Sequence, residues 1–183
     1  MICEICSLGL IVKLIMDIII GGLLVQVARI DWKKQIIPDK INLTIFLVGA
    51  VYVVLLPIGF LLTEKEMAYE GSFQAAALGR IAGAVVLPGL MLLANFLIKG
   101  AFGGGDVKLS GALGMAYGFT NGGNGILLGI LISGFCGMIL LITGRKKLGD
   151  RFPLGPFLAA GMIFVIVETW IELINSNEIH YFG

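Results

Sequence analysis

Between Leu109 and Gly144 the sequence LSGALGMAYGFTNGGNGILLGILISGFCGMILLITG carries no charged residue. A helix that crosses the ~30 Å hydrocarbon core of a bilayer needs ~20 mostly apolar residues, so this run is too long for one crossing. The polar pentapeptide TNGGN, Thr120–Asn124, combines glycine with asparagine, residues that favour turns. The run therefore reads as two spans folded at that point. The same criterion carried outward places spans at Leu8–Ala28, Ile41–Leu62, Phe73–Ile98, Val107–Phe119, Gly125–Thr143 and Pro153–Ile174. The expectation is an all-α polytopic membrane protein with six transmembrane helices, forming a single membrane-embedded domain over residues 1–183.

Composition agrees: of the 183 residues, 58% are hydrophobic and only 14% charged, values that belong to a membrane protein. A net charge of +1 gives no basis for a nucleic-acid partner, and lipid is the expected surrounding. The opening MICEIC is acidic rather than basic, Lys13 and Asp17 interrupt the apolar stretch, and no small-x-small site follows. The first segment is thus expected to be a retained span rather than a cleaved signal. Lys13 and Asp17, four residues apart on one helix face, are expected to pair within the bundle.

Basic residues set the orientation. Arg29, Lys33, Lys34 and Lys40 follow the first span, Lys99 and Lys108 the third, and Arg145, Lys146, Lys147 and Arg151 the fifth, so ten of the 13 Lys and Arg fall on one side. The other side holds the acidic tip TEKEMAYEG, the uncharged TNGGN and a C-terminus with Glu172 and Glu178. Both termini are expected outside (N-out, C-out), with the basic loops in the cytoplasm.

Cys3 and Cys6 form a lone C-x-x-C without the second pair that a tetrahedral zinc site needs; they read as packing or anchoring residues, and Cys136 as core. The pairs Gly79/Gly83, Gly114/Gly118 and Gly125/Gly129 have the spacing that lets helices approach closely in lipid. Gly103, Gly104 and Gly105 do not fit that use, because three glycines in a row weaken a span. They read as a flexible lead-in to Asp106.

From Asp106 to Phe119 there are about 14 residues before the polar turn, a rise of ~21 Å against ~30 Å of hydrocarbon. Asp106 is therefore expected below the membrane surface, where glycine lets irregular backbone dip in, although an Asp at that place also suits a helix cap. Asp31, at the end of the first span in RIDWKKQIIPDKIN, falls on the same membrane face. Two carboxylates held close cannot both ionise cheaply and so share a proton. One then takes a proton from water as it attacks a peptide carbonyl while the other donates to the developing oxyanion. Neither metal nor cofactor is needed.

Three stretches carry a resemblance. GGGD, Gly103–Asp106, fits the G-x-G-D signature of intramembrane-type aspartyl proteases, and GGGDVKL resembles the type IV prepilin peptidase family, which includes the preflagellin peptidases. Asp31 followed by Pro38 in DWKKQIIPD is similar to that family's first catalytic aspartate and its downstream proline. FPLGPFLAAG, Phe152–Gly161, resembles the start of the family's last helix, with Leu154 where phenylalanine is more usual. The resemblance implies an aspartyl peptidase domain with Asp31 and Asp106 as the catalytic pair, supported by Pro38, Gly103, Gly105, Lys108, Pro153, Gly155 and Pro156. It implies as substrate a type IV prepilin or pilin-like precursor, whose short basic leader is removed at the cytoplasmic face of the plasma membrane of a prokaryote.

The larger bacterial members resemble a two-activity enzyme with a cysteine-rich cytoplasmic segment associated with N-methylation. About a dozen residues separate the first two spans here, without paired C-x-x-C motifs on that side, so the chain looks like a short, peptidase-only form. Asp39 and Asp150 read as solvated loop charges, Lys108 as a side chain snorkelling to headgroups, Glu168 as a structural acid inside the bundle, and His180 as too far from the pair to act. The alternative is a small transporter or channel in which Asp31 and Asp106 bind a cation; GGGD has no counterpart in the first three spans, as matched broken helices would require. An inactive scaffold within a pilus machine is the third reading, and the presence of both aspartates counts against it.

Overall fold

Long apolar stretches with few breakers become helix in the computed structural model, which describes residues 2–62, 73–98, 100–145 and 152–179. Lys99, the acidic tip, Asp150 and His180 lie outside the described residues, as do the side chains of Cys3, Cys6 and Glu178. Five helices are formed among the described residues: α1 (Ile2–Lys34), α2 (Asp39–Leu62), α3 (Phe73–Leu97), α4 (Gly104–Ile142) and α5 (Gly155–Ile179). The segments Leu10–Lys34, Ala75–Leu97, Gly104–Ile142 and Gly155–Asn175 are long and apolar enough to cross a membrane. The chain is an all-α, multi-pass membrane protein.

The end of α1 decides where Asp31 stands. Gln35 adopts φ 53°, and its N–H bonds to the Asp31 carbonyl at 2.8 Å, the left-handed turn that terminates a helix. Pro38 then bars any continuation. Asp31 is thereby left in the last turn of α1.

At 39 residues, α4 would be ~58 Å long if straight, about twice the hydrocarbon thickness. It is not straight. Gly118 takes φ 83°, ψ 177°, a conformation that a Cβ makes costly, and the chain reverses there. A Cβ on Gly122 would lie 3.1 Å from the Leu113 carbonyl and 3.3 Å from the Gly114 Cα, so residues well apart along the helix are backbone neighbours. Directions agree: the first half approaches α2 at Gly49 against Ala116, while the second packs antiparallel to α5, with Gly125 at Met162 and Gly129 at Leu158. The reversal expected within Thr120–Asn124 occurs at Gly118 instead, because one left-handed glycine suffices and the following polar residues remain helical.

Glycine pairs do the packing expected of them at most positions. Gly83 meets the backbone at Gly114 and Gly118, and Gly161 meets it at Gly125 and Gly129; side chains there would separate the helices. Gly79 has open space where its Cβ would be. Helix α4 packs on α2, α3 and α5, and α1 closes the bundle against α2 and α5.

The surface is apolar and the interior partly polar. Val85, Phe96 and Ile142 are exposed, whereas Asp17, Asp31, Asn42 and Arg80 are buried, the inverse of a water-soluble protein. Asp17 pairs with Lys13 at 3.3 Å as expected and also accepts from the Tyr117 hydroxyl at 2.9 Å and the Trp170 indole N–H at 2.8 Å. That carboxylate pins α1, α4 and α5 together ~21 Å from Asp31, at 1.5 Å per residue. Arg80 donates to the Ala116 carbonyl just before the reversal, where the first half of α4 leaves acceptors unfilled and a cation is favoured. Its guanidinium lies 4.7 Å from the centre of the Tyr52 ring.

Candidate active site

Asp31 is 5% exposed, and its Oδ2 accepts the Gly155 backbone N–H at 2.8 Å. Leu154 caps α5, its carbonyl accepting the N–H groups of Phe157 and Leu158 at 3.0 Å each. The Asp31 carboxylate therefore sits on a helix N-terminus, where an otherwise unsatisfied donor and the helix dipole hold negative charge. Pro156 follows without an N–H, at no loss in a first turn. Pro153 lies in the non-helical approach to α5, which Phe152 and Phe157 flank by stacking 5.1 Å apart. A Cβ on residue 155 would fall 2.8 Å from Asp31 Oδ2 and 2.9 Å from Asp31 Cβ. The glycine of FPLGP is a space requirement of the first aspartate.

Asp106 stands in the first turn of α4, and its Oδ2 accepts the Gly103 N–H at 3.1 Å, the reach-back half of a capping box. The cap and the candidate catalytic carboxylate are thus one residue. Around it the G-x-G spacing becomes physical. A Cβ on Gly103 would lie 3.0 Å from Asp106 Oδ2, and one on Gly105 3.0 Å from Ile37 Cβ, whereas Gly104 has nothing within 4 Å. Gly103 has extended backbone, φ −72°, ψ 151°, and the left-handed residue of the approach is Gly100, φ 79°. The first and third glycines therefore serve close approach, and the flexible lead-in expected from three glycines in a row is replaced by a tightly seated loop.

Residues around Pro38 seat that loop. Ile37, 6% exposed, packs on Gly105, and the buried Asn42 donates from Nδ2 to the Gly105 carbonyl at 3.3 Å. Asn95 grips the preceding residue from the other side: its Oδ1 accepts the Phe102 N–H at 2.7 Å and its Nδ2 donates to the Phe102 carbonyl at 2.9 Å. Asn42 and Asn95 escaped the sequence reading. A signal existed, since an amide in an apolar helix must find a partner, but which backbone it grips is not local information.

Lys108 does not snorkel. Its Nζ lies 2.8 Å from both carboxylate oxygens of Asp39, because the seated loop brings the α4 and α2 N-termini together. Asp39 is correspondingly paired rather than a solvated loop charge, and with both side chains exposed the pair contributes up to about 1 kcal/mol. Glu168 is exposed on the outside of α5, not inside the bundle, and ~20 Å along the helix from Gly155.

The fold brings Asp31 and Asp106 within electrostatic reach of each other, although 75 positions separate them in sequence. Each carboxylate has one oxygen fixed by a backbone N–H, from Gly155 and from Gly103; the other oxygen meets no protein donor among the described residues. Such an arrangement can share one proton and accept another from water. Among the described residues no three His, Cys, Asp or Glu cluster as metal ligands.

Residues 18–142 match the type IV leader peptidase family. The chain is 29% identical over 140 residues to a prepilin leader peptidase/N-methyltransferase of Burkholderia pseudomallei, covering 75% of this chain and 41% of that protein. It is 27% identical over 155 residues to the Bacillus subtilis protein of the same description, covering 85% and 56%, and 28% over 163 residues to that of Aeromonas hydrophila, covering 88% and 50%. The chain spans about half the length of these relatives. No solved structure matches.

Proposed function

Because the chain belongs to the type IV leader peptidase family, we propose that it is an aspartic endopeptidase that removes the leader of a type IV prepilin or pilin-like precursor. The observation that carries this reading is geometric: two carboxylates from separate motifs are each held by a backbone N–H, Asp31 by Gly155 and Asp106 by Gly103, at positions where a Cβ on either glycine would crowd the carboxylate. One carboxylate takes a proton from water as the oxygen attacks the scissile carbonyl. Its neighbour gives a proton to the oxyanion; as the C–N bond breaks, the first carboxylate passes its proton to the leaving amine and the neighbour recovers one from a hydroxyl of the tetrahedral diol. The fixed oxygens hold the two groups in register, so the free oxygens carry the proton traffic.

The membrane arrangement proposed with it has six spans, the two halves of α4 counting as two and α2 as another, with both termini outside and the pair at the cytoplasmic face of the plasma membrane of a prokaryote. Loop charges support that orientation: Arg29, Lys33 and Lys34 stand at the end of α1 that holds Asp31. Methylation is not part of the proposal, because the connection between α1 and α2 is Gln35–Pro38 alone.

The test is cleavage in detergent or lipid of a pilin-like precursor encoded by the same genome, followed by gel shift, beside Asp31→Asn and Asp106→Asn. Asn keeps size and accepts the same N–H but cannot shuttle the proton, so both variants should be inserted, folded and inactive. Full activity in either folded variant removes that residue from the mechanism. If the wild type cuts no precursor and instead conducts ions in liposomes in a manner that both substitutions abolish, the cation-binding reading replaces this one.

A further inference from the structure

Beside the active site, but outside it, an open groove of about 610 Å³ runs between the last three turns of α1 and the beginning of α5. The facing residues are small, Ala28 on α1 and Ala159 and Ala160 on α5, so their side chains leave the space between the helices unfilled. Asp31, on a different face of α1, ties the two helices through Gly155, so the groove is a fixed feature of the packing. Its floor is apolar, with Val25 and Ile163 continuing it toward the middle of the bundle. Its rim is different.

Arg29, Trp32 and Lys33 line the rim. Arg29 and Lys33 are four residues apart and so lie one turn apart on the same face of α1; both are exposed, and neither meets a carboxylate among the described residues. Trp32 is 66% exposed, with the amphipathic character that suits the headgroup level. Two unneutralised cations above an apolar channel fit a ligand with an anionic head and a hydrocarbon tail.

We propose that this groove is a binding site for one anionic phospholipid, its phosphate held by Arg29 and Lys33 and an acyl chain lying along Ala28 and Ala160. Basic pockets between membrane helices bind acidic headgroups through the same combination. The charge of the rim repels the basic leader of the proposed substrate, which assigns the groove to lipid and not to the precursor. Because Pro156 lines the groove next to the Gly155 N–H that holds Asp31, a lipid seated there also braces the start of α5.

Native mass spectrometry of the detergent-solubilised full chain, titrated with phosphatidylglycerol or phosphatidylcholine, tests this independently of any peptidase activity. The wild type should retain one phosphatidylglycerol in preference to phosphatidylcholine, and the double substitution Arg29→Gln/Lys33→Gln should weaken that retention roughly 30-fold. Lys34→Gln, which removes a charge outside the groove, should leave it unchanged. Ala160→Leu, which fills the channel at an exposed position and keeps both cations, should also lower retention. Equal retention of the two lipids, wild-type affinity in both the double substitution and Ala160→Leu, full competition by glycerol phosphate, or displacement by a precursor's hydrophobic segment would each overturn the proposal.

Discussion

Substituting Gly155 by alanine adds one methyl group at the point where α5 meets Asp31. That methyl would sit 2.8 Å from Oδ2, 2.9 Å from Cβ and 3.0 Å from Cγ of Asp31, well inside the ~3.5–4.0 Å at which carbon contacts are favourable. Neither side can simply yield. Asp31 is buried on the last turn of α1, and α5 begins at residue 155. Relief requires the carboxylate to swing off its 2.8 Å bond to the Gly155 N–H, forfeiting a charge-assisted bond of ~1.5–3 kcal/mol, or the helices to part, an overpacking cost of ~1–3 kcal/mol. A misplacement of about 1 Å lowers turnover ~100-fold, equivalent to ~2.7 kcal/mol in the barrier. The expected outcome of precursor cleavage under single-turnover conditions is therefore a ~100-fold slower step, with folding retained as judged by helical circular dichroism and gel filtration. Gly104→Ala is the matched control. It adds the same methyl within the other aspartate's motif but into open space, so its cleavage rate should stay within about twofold of the parent, because nothing there restrains the reacting atoms. Wild-type cleavage by a folded Gly155→Ala protein would refute the idea that this N–H positions Asp31.

Other perturbations separate loop seating from bundle packing. Gly105→Val drives a branched side chain into Ile37 and should lower cleavage as strongly as Gly155→Ala, while Gly104→Val should cost far less; equal effects in the same assay would contradict the seated-loop account. Asn42→Ala frees the Gly105 carbonyl and should slow turnover about tenfold with little change in KM, whereas a change confined to KM would make Asn42 a substrate contact. Gly118→Ala forces a Cβ into the positive-φ residue at the α4 reversal, a cost of ~1–3 kcal/mol. It should lower the thermal midpoint in detergent while sparing turnover in the molecules that remain folded, and an unchanged midpoint would move the reversal elsewhere.

Gly118 also shows where sequence reading loses resolution. That a charge-free run of this length must turn back follows from bilayer thickness alone, and the sequence locates the turn to within a few residues. The polar pentapeptide draws attention because turns are usually polar. Yet inside a bundle the reversal needs only one residue free to take positive φ and one neighbour able to fill the exposed carbonyls, here Arg80. Lys108 is a similar case: an isolated lysine at a span's end is expected to seek headgroups, and only the meeting of α2 with α4 supplies Asp39 as its partner.

By itself the sequence determined the helical membrane class, the pairing of Lys13 with Asp17 and the family, and it singled out Asp31 and Asp106 as the proposed catalytic pair. These properties are carried by local composition and by short motifs whose spacing survives without knowledge of the fold. Tertiary structure alone decided why the motifs have their form: Gly155 is glycine because Asp31 occupies the space of its Cβ, Gly105 because Ile37 does, and Asn42 is an amide because Gly105 presents a carbonyl to it. Each of these reasons is a contact between residues far apart in the chain, up to 124 positions for Asp31 and Gly155. Such contacts exist only once helices are packed, because sequence periodicity records which face of a helix is buried but not which atom of another helix it meets.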